Sequence, residues 1–150
     1  MPFAEWSKEF SVGVEEIDGD HRRLLELLNQ LHDAAKTEGG REVLGGVLEG
    51  LMLYVGYHFA HEEALFLRTN YPGYERHRRQ HQALTITVKE IRDDFQLERS
   101  DALPRQVLEF LKNWLYDHIM GSDRAFGVYF NAHQAALESQ AGPAAEAAPQ

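Results

Sequence analysis

Apolar side chains recur every three or four residues in four long stretches of the chain, separated by short segments rich in glycine, proline or asparagine. No stretch alternates apolar and polar positions for long, so the pattern predicts an all-α fold. A first helix is expected over about Gly19 to Thr37, with Leu24, Leu28 and Leu31 on its inner stripe, Asp18 or Asp20 as its cap and Gly39 with Gly40 as its stop. A second is expected over Arg41 to Arg68, with Leu44, Leu48, Leu51, Val55 and Leu65 facing inward. Gly46, Gly50 and Gly56 weaken its early half. After a turn at Asn70-Tyr71-Pro72-Gly73, a third helix covers Tyr74 to Gln96 with Leu84, Val88, Ile91 and Phe95 inward. A fourth covers Leu103 to Met120 with Val107, Leu111, Trp114 and Leu115, and Pro104 suits its first turn.

Outside these stretches, a further helical piece from Ser122 to about Leu137 extends the fourth helix. Residues 1–138 are thus expected to form one domain and 139–150, SQAGPAAEAAPQ with its neighbours, a disordered tail of small residues. Ahead of Asp18, Phe3, Trp6, Phe10 and Val12 read as a non-helical arm packed over the other helices.

Length and composition narrow the chemistry. A chain of 150 residues suits one core. With no cysteine, disulfides, iron–sulfur clusters and thiolate zinc sites are excluded, which leaves histidine and carboxylate as the strong metal ligands. The net charge of −9 and pI near 5.3 argue against a nucleic-acid partner. The first ten residues lack the apolar run of a secretory signal, and continuous apolar runs such as Leu51 to Val55 are short, so a cytoplasmic chain without membrane insertion is expected.

Eight histidines, many of them next to carboxylates on the expected helices, change the picture. Residues four apart share a helix face, which pairs His58 with Glu62 and His77 with His81. His118 and Asp123 are five apart and would point about 140° away from each other on a regular helix. Gly121 lies between them and is expected to bend or relax the turn so that Asp123 swings back. His21 shares the inner stripe of the first helix. His21, His58, Glu62, His77, His81, His118 and Asp123 are too many ligands for one ion. Two ions suit them if both carboxylates bridge and the imidazoles divide three and two, leaving one position open. The donor set fits iron, then manganese, better than zinc. The Glu-x-x-His pairs of ferritin-like di-iron enzymes are absent. His32 and His133 are expected to be solvated, and His61 and Glu63 are candidates to support a ligand.

In order and spacing these residues resemble the hemerythrin family, and within it the bacterial single-domain branch, over roughly residues 6 to 130. The resemblance rests on Trp6…Val12-Gly13-Val14…Ile17-Asp18…His21, on His58-Phe59-Ala60-His61-Glu62-Glu63, on Tyr71-Pro72-Gly73-Tyr74…His77…His81 and on Trp114-Leu115…His118-Ile119…Asp123. It implies an up-down-up-down four-helix bundle and a non-haem pair of iron ions joined by Glu62, Asp123 and an oxo or hydroxo group. His77, His81 and His118 would bind the filled iron, and His21 and His58 the one with an open position. The implied function is reversible dioxygen binding for transport, storage or delivery, not catalysis, with an unidentified oxygen-consuming protein as a candidate recipient. A di-iron peroxidase or oxidase, or a sensor of oxygen or iron, is the alternative. Leu24, Phe59, Trp114, Leu115 and Ile119 flank the ligand positions and are expected to keep an oxygen pocket dry.

Overall fold

The computed structural model describes residues 2–36, 41–98 and 103–147. Its helices are α1 (Glu15–Lys36), α2 (Arg41–Arg68), α3 (Tyr74–Glu98), α4 (Arg105–His118) and α5 (Arg124–Ala147), with a π-helical turn, Ile119–Asp123, joining α4 to α5 without a break. Helix α1 packs on α2, α2 on α3, and α4 returns to α1, which closes a four-helix bundle. Every inward residue expected on α1 and α2 is buried. On the other two, Leu84, Val88, Phe95 and Leu111 are buried, and Ile91, Val107, Trp114 and Leu115 partly so.

Helix α1 starts at Glu15, four residues before the expected start, because Asp18 and Asp20 do not serve as caps. Asp18 instead ties down the arm, accepting from the Val12 N–H at 2.9 Å and the Ser11 hydroxyl at 2.5 Å. Ala4 exchanges two hydrogen bonds of 2.7 Å with the Asn29 side chain. The arm carries a single 3₁₀ turn at Lys8–Phe10 and buries Ala4, Val12 and Val14. The expected end of α1, at Thr37 and the glycines 39 and 40, lies outside the described residues.

Asn70 ends α2. Its φ of 52° is left-handed, and the Tyr71 N–H reaches back to the Phe66 carbonyl at 2.9 Å, the six-to-one bond of a Schellman motif. The glycines of α2 do not break it, because burial of Leu44, Leu48, Leu51, Val55, Phe59, Leu65 and Phe66 on its inner face outweighs about 1 kcal/mol of helix propensity per glycine.

Helix α5 is longer than expected. It runs through Ala147, so residues 139–147 of the expected tail are helical, while 148–150 lie outside the described residues. Near its start α5 crosses the arm so closely that a Cβ on Gly127 would overlap the Val12 carbonyl oxygen. Gly127→Ala is therefore expected to destabilise the protein by about 1–3 kcal/mol, read as a lower thermal midpoint. An unchanged midpoint would mean that the arm is free to move away.

Candidate metal centre

Four elements aim side chains at one point in the core. Helix α1 supplies His21, α2 supplies His58 and Glu62, α3 supplies His77 and His81, and the junction of α4 with α5 supplies His118 and Asp123. All seven are buried. On α2 and α3 the four-residue spacing does what the helix period dictates. At the junction the backbone changes instead. The Arg124 N–H bonds to the Ile119 carbonyl five residues back, and this wider turn brings His118 and Asp123, also five apart, onto one face. His118 Nε2 then lies 3.0 Å from Asp123 Oδ1. Of the two roles expected of Gly121, bending or relaxing the turn, the structure shows the second, since Gly121 lies inside the wider π turn that reorients Asp123.

The seven side chains form two overlapping groups, one of Glu62, His77, His81, His118 and Asp123, the other of His21, His58, Glu62 and Asp123. Each carboxylate divides its oxygens between them. Glu62 Oε1 is 2.8 Å from His58 Nε2 and 3.5 Å from His21 Nε2, while Oε2 is 3.4 Å from His77 Nε2 and 3.3 Å from His81 Nε2. Asp123 Oδ2 is 2.8 Å from His21 Nε2, and Oδ1 is 2.8 Å from His77 Nε2. Despite these distances, all four carboxylate oxygens and the Nε2 atoms of His21 and His81 lack hydrogen-bond geometry. Buried acceptors left without donors are costly. Nitrogens and oxygens that face one another without a hydrogen bond are arranged as donors to a shared cation, so these residues fit a metal.

Electrostatics agree. Burial and the neighbouring Asp123 work to raise the Glu62 carboxyl, but His58 and His21 outweigh them and hold it well below the usual carboxylate range. Asp123 is likewise held low against its burial, by His118, His21 and His77. Burial works to lower His58, yet the Glu62 charge and the bond to Asp20 push it up to about 10, and His21 is raised against burial by Asp123 and Glu62. The core therefore attracts positive charge.

A second layer holds the ligands. The Nδ1–H groups of His58 and His61 donate to Asp20 Oδ2 at 3.0 and 2.7 Å, and the Tyr54 hydroxyl donates to Asp20 Oδ1 at 3.2 Å. His81 Nδ1–H donates to Glu63 at 3.1 Å. Asp20 was expected only as a cap. The signal that could have found it is the i, i+3 spacing of His58 and His61, which turns both rings toward one acceptor. His61 bonds to Asp20 and Glu16 and is in neither metal group. His32 is partly buried and stacks on Phe3 at 4.2 Å, and His133 is half-buried beside Tyr129, so neither is solvated as expected.

The five apolar pocket candidates separate. Phe59 stacks on His81 at 3.8 Å and Trp114 on His118 at 4.5 Å, both rings of the three-histidine group. Leu24, Trp114 and Leu115 line an apolar cavity of about 30 Å³. Ile119 is fully buried on the other side, in a cluster with Ile17, Phe66 and Phe126.

Fold and site together define a four-helix-bundle protein with a buried carboxylate–histidine cluster that fits a metal. Comparison with known proteins makes this specific. Residues 12–128 match the Hemerythrin HHE cation binding domain. A bacteriohemerythrin of Stenotrophomonas maltophilia is 35% identical over 144 residues, covering 95% of this chain and 92% of that protein. A hemerythrin-like protein of Naegleria gruberi is 32% identical, covering 83% and 91%. The structure of a wild-type hemerythrin superposes with a TM-score of 0.79 at 26% identity, covering 85% of this chain and 98% of that one. The chain belongs to the hemerythrin family.

Proposed function

We propose that the protein binds dioxygen reversibly at a non-haem di-iron centre, for oxygen transport, storage or delivery. The observation that carries this reading is the sharing of Glu62 and Asp123 between two ligand groups, with none of their four oxygens holding a hydrogen bond. His77, His81 and His118 would hold one iron and His21 and His58 the other, which has one protein ligand fewer and so a position for a small molecule. The iron pair supplies the electrons that make dioxygen binding favourable and reversible.

The chain's own residues supply aim and dryness. Asp20 and Glu63 fix the tautomers of His58 and His81, so that Nε2 faces the metal. Phe59 and Trp114 hold the planes of His81 and His118 by stacking. The cavity beside Leu24, Trp114 and Leu115 is large enough for one small molecule and has too few polar groups to hold water, which favours an apolar diatomic. Ile119 closes the site on the opposite side.

The tyrosines argue against an acid–base enzyme. The Tyr54 hydroxyl is pushed up to about 12, chiefly by burial and then by Asp20, far from a useful proton donor at neutral pH. Tyr116 is occupied by the arm, accepting from the Glu5 N–H at 2.8 Å. Metal analysis should return two irons per chain. Optical titration of the anaerobic protein with oxygen, then purging with argon, should produce and then abolish the oxygenated absorption band. One iron per chain, or a band that purging leaves in place, would refute the carrier reading.

A further inference from the structure

Helix α2 carries large apolar residues on both its core face and its outer face. Its core side buries Leu44, Leu48, Leu51, Val55 and Leu65. On the side away from the core, Val43, Gly46, Gly50, Leu53, Tyr57, Ala60, Ala64 and Leu67 follow one another at alternating steps of three and four. None of them is charged. Val43, Leu53, Tyr57 and Leu67 are 52%, 66%, 58% and 62% exposed, and a Cβ on Gly46 or Gly50 would meet nothing within 4 Å. A bundle helix ordinarily turns a charged face to water. An unbroken three-four repeat of this length is the pattern of a helix that packs on another helix.

We infer that this outer stripe of α2 is the contact face of a dimer, formed by antiparallel packing on α2 of a second copy. The register follows from the sequence. A two-fold axis level with Val55 sets Leu53 opposite Tyr57 of the other copy, Gly50 opposite Ala60, Gly46 opposite Ala64 and Val43 opposite Leu67. Large residues meet large ones at the centre and both ends, and small residues meet small ones between, where the two backbones can approach closely. The ends agree in charge. The exposed Glu42 of one copy reaches the end of the stripe that carries the exposed Arg68 of the other, whereas parallel packing would set like charges together. Antiparallel packing also opposes the two helix dipoles.

The stripe is roughly 37 Å long at 1.5 Å per residue. Two such faces in contact bury on the order of 1,200 Å² in total, which reaches the range of specific interfaces. Beside the stripe the exposed Ile86 of α3 lines a shallow groove with Gly56 and Ala60, and Glu63 and Gln82 line it too. By length and composition α2 also passes as a membrane span, so a bilayer is the rival occupant.

Sedimentation of the full-length, iron-loaded protein from micromolar to sub-millimolar concentration tests this. The expected mass is twice the 17.2 kDa of the chain. Leu53→Glu should weaken association about 100-fold while leaving helix content and iron content unchanged. Gly50→Leu adds apolar surface but blocks close approach, so it should weaken the dimer, whereas it would strengthen binding to a lipid surface. Because the chain has no cysteine, Gly46→Cys and Ala64→Cys report the register. A short bis-maleimide should join the two variants when mixed and neither alone, since like positions are roughly 27 Å apart in the antiparallel pair. A monomer at every concentration, or partition into phosphatidylcholine vesicles that rises with Gly50→Leu, would overturn the inference, as would cross-linking of Gly46→Cys to itself.

Discussion

Replacing Glu62 or Asp123 by alanine is expected to remove most of the bound metal and much of the protein's stability in one step. Each carboxylate faces both ligand groups, so one substitution takes a ligand from two ions at once. It also leaves five buried histidines around a single negative charge. Breaking a buried ionic pair by removing one partner costs about 3–5 kcal/mol, because the charge left behind keeps its desolvation penalty. Metal content should fall from two ions to fewer than one per chain, and the thermal midpoint should fall with it, since metal binding and folding are linked. His61→Ala is the useful contrast. It removes a histidine that, next to the ligands of the same helix, bonds to Asp20 and Glu16 and belongs to neither ligand group, and metal content should hold. If both carboxylate variants kept two metals, neither residue would be a bridge.

The second large effect is expected at a residue that touches no metal. Asp20 accepts from the Nδ1–H groups of both His58 and His61, and the first of these bonds decides which nitrogen of His58 faces the core. It also helps to hold the His58 ring protonated up to about 10 when Glu62 is its nearest anion. Asp20→Ala should lower metal affinity about 10- to 100-fold, the usual cost of losing the partner that orients a ligating histidine. Competition against a chelator would measure it, with the loss confined to one of the two ions, since Asp20 supports His58 and not His77, His81 or His118. An equal loss of both ions would mean that the substitution disturbs the bundle as a whole. Glu63→Gln, acting through His81, should mirror the effect on the other ion.

All seven side chains that converge in the core were legible in the sequence, because helix period and residue chemistry jointly select them. His58 with Glu62 and His77 with His81 need nothing beyond the 3.6-residue repeat. The fourth helix was harder to read. Its five-residue spacing demanded some departure from an α-helix, and side-chain pattern alone does not say which carbonyl an N–H will choose, so a bend and a relaxed turn at Gly121 were equally open and the π turn itself was not foreseen. Asp20 was misread for a related reason. It adjoins His21, and neighbours on a helix point about 100° apart, so it was read as a cap candidate, and its place opposite His58 and His61 emerged only with the packing of the first two helices. Asp18 was read as a cap because the sequence does not reveal how far the arm folds back. The pocket candidates were chosen by adjacency alone, which does not tell that Phe59 and Trp114 lean on the three-histidine group while Ile119 packs in a different cluster.

The π turn holds one residue more than the α-helical turn it replaces, so the two halves of the last helix are geared to each other. If residues 119–123 slipped back to an α-helical winding, everything beyond them would rotate by about 100°. Asp123 would swing out of the core, and so would Phe126 and Phe130, whose rings are buried in the cluster with Phe66 and Ile17. The acid and the two aromatics thus move as one ratchet with a single comfortable stop. Greasy rings farther down the helix keep the carboxylate pointed inward even before an ion arrives, so the wedge that sets this ligand's direction is made of hydrocarbon.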